Sequence, residues 1–428
     1  PADTARINPF SGRFSAERLF LTDAAGSSVR LDNSTNRFSI FPKKGYSSIP
    51  VLNLTSSNGK ITLRAENNRF ILTDADIKAR AAMNTVERKQ RAKAFMDSLA
   101  RKYPDVPRDS LFSHIRSQRA VQTVPDWLQD EDFRKQDINL RLDESMAKYF
   151  REWDLNGSVK VRTGIAMTPY LPLRNILRGL ECSFTNDKVA IDSFKVMSGK
   201  SAIAAKGALT GLKRTLLGRG SLKFDLDITS DGMDANELLT AFAKGSEFNP
   251  EAAKGMGEVS DAEFLQMVVV KDTAEVTEAP SLLVIPSNLN ADISLNAENI
   301  KYTDLDISKM TANLKMKERC LQITDTKAIS NMGDIGFEGF YATKSKKDLS
   351  TGFSLNFKDI TAEKVISLIP AADTLIPMIK SFKGLLNCEI AGTASLDTNM
   401  NIVMPSVNGV MRISGKDLEV SDNEMFRS

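Results

Sequence analysis

Along most of the chain, apolar and polar residues alternate. Ile61 and Leu63, Val159 and Val161, Val189 and Ile191, Phe224, Leu226 and Ile228, and Phe353, Leu355 and Phe357 each mark runs of period two, the pattern of strands buried on one face only. Parallel strands covered by helices on both sides would carry continuous apolar runs, so a sheet of this kind is expected to be antiparallel. The prediction is a mainly β chain: an elongated, curved antiparallel sheet forming a repeating β-groove, with short capping helices and one α-helical insertion.

The pattern repeats. Adding 132 to Val189, Ile191, Lys195, Ser198, Ile203 and Gly207 lands on Leu321, Ile323, Lys327, Ser330, Ile335 and Gly339, matched in type or identity, a long-period self-similarity of the kind repeat proteins show. Both copies continue into an alternating strand and then a short helical stretch. Asp234 with Glu237 three residues on forms a capping box for the first helix, and Thr361 is an N-cap for the second, before Pro370. Unit openings recur around Asn58-Gly59, Asn156-Gly157, Asn290-Ala291 and Asn408-Gly409, so about four units are expected.

One segment departs from period two. Between Ile77 and Trp153 the spacing is helical, with Leu111, Phe112 and Ile115 on one face and Leu142, Met146, Tyr149, Phe150 and Trp153 on another stripe. Its first half is basic and its second half acidic. The division expected is an N-terminal β unit over 1–76, the helical insertion over 77–153, β repeat units with capping helices over 154–272 and 273–372, and the start of a further, truncated β unit over 373–428. A polar stretch from Gly245 to Pro280 carries a second capping box, Ser260 with Glu263, before a short helix near Phe264.

Composition narrows the chemistry. A formal charge of +3 on 428 residues, without a basic face interleaved with aromatics, gives no reason to expect a nucleic-acid partner. The single histidine, His114, removes serine, cysteine and histidine-metal constellations together. Cys182, Cys320 and Cys388 have neither disulfide nor metal-ligand spacing; Cys182 and Cys388 share parity with apolar strand positions, and Cys320 has the opposite parity to Leu321 and Ile323. No phosphate-binding GxxxxGK[ST] occurs and no apolar run is long enough to span a bilayer. No catalytic residue, metal or cofactor is expected. Arg88, Lys89, Arg91 and Lys93 in the insertion are either candidate headgroup-facing residues at an anionic membrane or part of a solvated face neutralised by the acidic half that follows.

Four stretches carry a family likeness. They are "GIAMTPYLPLRNI" at 164–176, "FTNDKVAIDSFKVMSGKSAIAAKGALTGLKR" at 184–214, "LKFDLDITSDGMDANELL" at 222–239 and "MPSVNGVMRISGKDLEV" at 404–420. They resemble the AsmA-like C-terminal region of bacterial envelope proteins, particularly of Bacteroidetes type, and through it the repeating β-groove lipid-transfer proteins. The resemblance implies a non-catalytic periplasmic protein, anchored to the inner membrane by an N-terminal helix and engaged in outer-membrane biogenesis. Its partner would be phospholipid or another envelope lipid, and inner and outer membrane. Leu180, Phe184, Val189, Ile191, Phe224, Leu226, Ile228, Leu321, Ile323, Leu355 and Phe357 are then the candidate groove-lining residues. A structural or adhesive β-repeat protein binding envelope proteins or glycans is the alternative, since an apolar strand face is also what any packed core requires.

Overall fold

Period-two alternation folds here as one sheet. The computed structural model describes residues 6–22, 27–65, 67–120, 131–135, 137–218, 220–246, 248, 260, 264, 284–361, 363–364, 382–398, 400–415 and 419–420. The first strands are β1 (Phe10–Thr22), β2 (Ser28–Lys43), β3 (Tyr46–Ala65) and β4 (Asn68–Met83). The insertion follows, with α1 (Thr85–Lys102), α2 (Leu111–Ala120), α3 (Glu131–Arg134) and α4 (Glu144–Glu152). A first block of five strands comprises β5 (Trp153–Met167), β6 (Asn175–Thr185), β7 (Lys188–Ser198), β8 (Ser201–Thr210) and β9 (Leu222–Asp234), with α5 (Leu212–Leu216) before β9 and α6 (Ala235–Ser246) after it. The second block is β10 (Leu289–Tyr302), β11 (Leu305–Lys317), β12 (Cys320–Ser330), β13 (Gly333–Ser345) and β14 (Asp348–Ile360). Then come β15 (Phe382–Lys383), β16 (Leu386–Ser395), β17 (Asn408–Gly415) and β18 (Glu419–Val420).

Sixteen of these strands form one long, curved, open sheet in chain order, β1 to β14 and then β16 and β17, while β15 and β18 pair separately. The two copies of the repeat are the two blocks, with β7 aligned to β12. The antiparallel expectation holds at every pairing of the large sheet but one: β9 and β10 are parallel, Leu226 opposite Ile293. Both strands start from the same long edge, so the connection through α6 must return from one edge to the other, as a parallel pair requires. The next strand of the sheet, β16, is antiparallel to β14.

Further differences from the sequence-based expectations are local. β4 runs to Met83, across the expected boundary at residue 76, so the helical insertion starts at Asn84. The boundaries at 272/273 and 372/373 fall outside the described residues, as do most of the helical stretches expected after Thr361 and at Phe264. At α6, Asp234 Oδ1 accepts from the Glu237 N–H at 3.0 Å, as a capping box requires, but Glu237 Oε2 accepts from the Lys200 N–H at 2.7 Å instead of closing the box. On α4 it is Ala147 that is buried, while Met146 and Tyr149 of the expected apolar stripe are exposed.

The insertion is a strap along one long edge of the sheet. Near its start Glu87 pairs with Lys43 at the β2–β3 turn, and Asn84 Nδ2 donates to Asp154 Oδ1 at 2.6 Å. At its end the Asn186 amide, on the β6–β7 turn, donates to Phe150 O and Trp153 O at 3.3 and 2.8 Å. Between them Leu142 N donates to Leu216 O at 3.0 Å, and Ile138 exchanges two hydrogen bonds with Asn288, just ahead of β10, at 3.0 and 2.8 Å. His114 packs edge-on against Tyr103, ring centroids 5.2 Å apart, within this strap.

Candidate functional site

Cross-strand pairing decides which side chains share a face, because directly opposed residues point the same way. Leu21 and Leu19 on β1 are followed by Val29 and Leu31 on β2, Leu63 and Ile61 on β3, and Leu72, Ala75 and Ile77 on β4. From there the same face passes through Val159 and Val161 to Leu180, Cys182 and Phe184 on β6, then to Val189, Ile191 and Phe194 on β7. It crosses β8 to Phe224, Leu226 and Ile228 on β9. The parallel seam preserves it, since Leu226 meets Ile293 and Ile228 meets Leu295. It continues through Leu321 and Ile323, then Leu355 and Phe357, to Ile390 and Cys388 on β16.

All eleven candidate lining residues therefore lie on one face. Ten are half-buried; Phe357, 1% exposed, is packed into the floor. Half-burial without a second large sheet above is what curvature toward that face produces. Burial is graded across the trough. Along the edge bearing α6, Ser230, Ala297, Ile300, Ile307, Ala328 and Phe357 are buried, and part of this row packs with Met233 and Ala235 at the base of that helix. Toward the strap edge Phe224, Ile293, Leu314, Leu321 and Ile323 are half-buried.

Two features of this face escaped prediction from the sequence. One is how parity survives in long strands. Leu31–Ser34, Leu72–Ala75, Ala297–Ile300, Ile323–Thr326 and Phe357–Ile360 are steps of three instead of two, and the third residue of each, Asn33, Asp74, Asn299, Asp325 or Asp359, is left-handed with φ between 51° and 55°. Asn and Asp tolerate that conformation better than other residues bearing a Cβ. At Asp325 and Asp359 the pairing register shifts, a β-bulge that adds local twist, whereas at Asn33, Asp74 and Asn299 both paired strands take the step together and the register runs on. For Leu72–Ala75, Ala297–Ile300 and Phe357–Ile360 an apolar i, i+3 step with Asx at i+2 inside a period-two run was the available signal.

The other is a polar island. Ser34, Asn36, Ser56 and Asn58 occupy trough positions on β2 and β3 and are buried. Asn36 Nδ2 donates to Ser34 Oγ at 3.2 Å, and Asn58 Nδ2 donates to Ser56 Oγ at 3.0 Å and to Ala75 O at 3.2 Å. Mutual hydrogen bonding is what makes such burial tolerable.

Glycine opposite phenylalanine recurs across the sheet: Gly12 with Phe38, Gly157 with Phe184, Gly352 with Phe340 and Gly392 with Phe353. In each pair a Cβ on the glycine would meet the ring, so the phenylalanine lies along the backbone of its neighbour. Phe184 thus paves the floor. Near the C-terminal end Ile323, Gly339, Phe353, Gly392 and Gly409 help line a depression of about 580 Å³, with Phe353 41% exposed.

Over β9 to β11 the opposite face is polar, with Asp225, Asp227, Asp292 and Lys315 exposed, while over β4 and β5 it carries Ile71, Ile165 and Met167 packed with Phe264. Cys320 belongs to it, opposite Ala342. Among the described residues no three His, Cys, Asp or Glu side chains converge as metal ligands, and no helix is long and apolar enough to cross a membrane. What the described residues offer is an apolar surface shared by successive strands. No protein-family model, curated protein or solved structure matches this chain.

Proposed function

We propose that this chain is a non-catalytic, AsmA-like lipid-handling protein of the bacterial envelope, working in the periplasm in outer-membrane biogenesis by shielding phospholipid acyl chains along its trough. The observation that carries the reading is the apolar face that runs from Leu19 on β1 to Ile390 on β16, buried at Ile61, Ala75, Val161 and Phe357 and half-buried at ten of the eleven candidate lining residues, with no second large sheet over it among the described residues. Each methylene moved from water onto such a surface gains about 0.8 kcal/mol. Apart from the polar island on β2 and β3 and the depression near the C-terminal end, successive strands repeat an apolar row, so that gain is spread over many strands. A path of this kind favours passage over capture.

Native mass spectrometry of the membrane-extracted protein tests the reading. The unaltered protein is expected to carry phospholipid, Leu226→Asp with Leu355→Asp is expected to lose it, and Asp225→Asn on the opposite face to keep it. Absence of lipid from the unaltered protein, or equal loading of all three, would overturn the proposal.

A further inference from the structure

The first helix of the strap has a stretch that is exposed on every side. Every residue from Arg88 to Phe95 is exposed, and among the described residues α1 is tied to the sheet by the Lys43–Glu87 pair at its start, while Leu99 near its end is buried. A helical stretch whose side chains all face solvent is not explained by packing.

Its charge is unbalanced. Arg88, Lys89, Arg91 and Lys93 fall within two turns, and no Asp or Glu occurs from residue 88 to 96. The flanking acids are engaged elsewhere, Glu87 with Lys43 and Asp97 with Arg108 at 2.8 Å. Arg88, Arg91 and Phe95 follow i, i+3, i+7 spacing, which places the cations and the ring along one line. Phe95 is 53% and Phe112 of α2 56% exposed, and their rings touch with centroids 6.3 Å apart, giving the α1–α2 pair an exposed apolar patch beside its basic stretch.

From this we infer that α1 and α2 dock the molecule on an anionic bilayer, with Arg88, Lys89, Arg91 and Lys93 among the headgroups and Phe95 and Phe112 entering the interface beside them. Concentrated positive charge beside exposed aromatic side chains is the combination that binds such a surface, the charge supplying long-range attraction and the rings short-range burial. A single-stranded nucleic acid needs aromatic rings spaced along a groove as separate stacking platforms, whereas these two rings are packed on each other. The inference goes beyond the trough reading and does not depend on it. A trough that holds no lipid leaves vesicle docking untouched.

Sedimentation of the full chain with phosphatidylcholine vesicles, with and without phosphatidylglycerol, tests it. Binding is expected only with the anionic lipid, and to weaken about tenfold or more at high salt. Replacing Arg88, Lys89, Arg91 and Lys93 with Gln should abolish it. Phe95→Ser with Phe112→Ser should weaken it several-fold while the salt dependence remains. These side chains are exposed, and an unchanged circular dichroism spectrum and melting curve would show that the variants fold. Equal binding to neutral vesicles, no effect of the Gln variant, or binding to polyglutamate or single-stranded DNA but not to anionic vesicles would overturn the inference.

Discussion

The Arg319 guanidinium, fully buried at the β11–β12 turn, lies 3.2 Å from Asp137 of the strap. Arg319 also donates from Nη1 to Ile285 O at 3.1 Å and sits over the Phe133 ring, while Asp137 accepts from Ser287 N and Ser287 Oγ at 2.7 and 2.6 Å. The Nη2 approach to Asp137 is a charge contact without hydrogen-bond alignment, so Nε and Nη2 have no aligned acceptor. The pair joins insertion to sheet beside the parallel seam.

Arg319→Met should leave Asp137 facing an apolar site and destabilise the protein by about 3 kcal/mol, near the low end for a broken buried pair because Asp137 keeps some water contact. Urea unfolding checks this. Adding Asp137→Leu should recover part of the loss; a double variant no more stable than Arg319→Met would mean the charge contact is not the cause.

At Gly157 a Cβ would come within 2.1 Å of Lys78 O and 2.6 Å of the Phe184 ring, whereas at Gly409 its nearest neighbour would be Ala391 O at 3.4 Å. Gly157→Ala is therefore expected to cost about 2–3 kcal/mol through overpacking, and Gly409→Ala well under that. Comparable melting temperatures for the two variants would remove the role given to the glycine–phenylalanine pairs.

The bulge at Asp359 has φ 55°. Asp359→Val forces a β-branched residue into the left-handed region and should cost about 1–2 kcal/mol, while Asp359→Gly should be near neutral. Denaturant midpoints ordered the other way would show that the Asp side chain, not its backbone, matters there.

Burial pushes the Cys388 thiol up to about 11 and the Tyr341 hydroxyl up to about 12, from ordinary values of 9.0 and 10.0. The folded protein keeps both protons over a range where the unfolded chain releases them. Stability from these groups is complete below pH 9, falls as pH rises, and is lost once the folded groups ionise. Urea midpoints measured either side of pH 9 should show the decline, and Tyr341→Phe with Cys388→Ala should flatten it.

Much of this molecule follows from alternation. Period two determines a sheet with one apolar and one polar face, and it placed Leu180, Val189, Leu226, Ile323 and Leu355 on a common side because a strand leaves only two choices for each side chain. The internal repeat determined that β7 and β12 are equivalent. What alternation leaves open is anything set by chain path or by contacts distant in sequence. Whether β10 runs parallel or antiparallel to β9 depends on which edge the connection reaches. Whether Met146 or Ala147 faces the sheet depends on how α4 is rotated by its ends, and whether Phe357 lines the trough or is buried beneath it depends on how far the sheet curls. The strap's grip on Arg319 rests on residues far from it in sequence, so only the tertiary structure decided it.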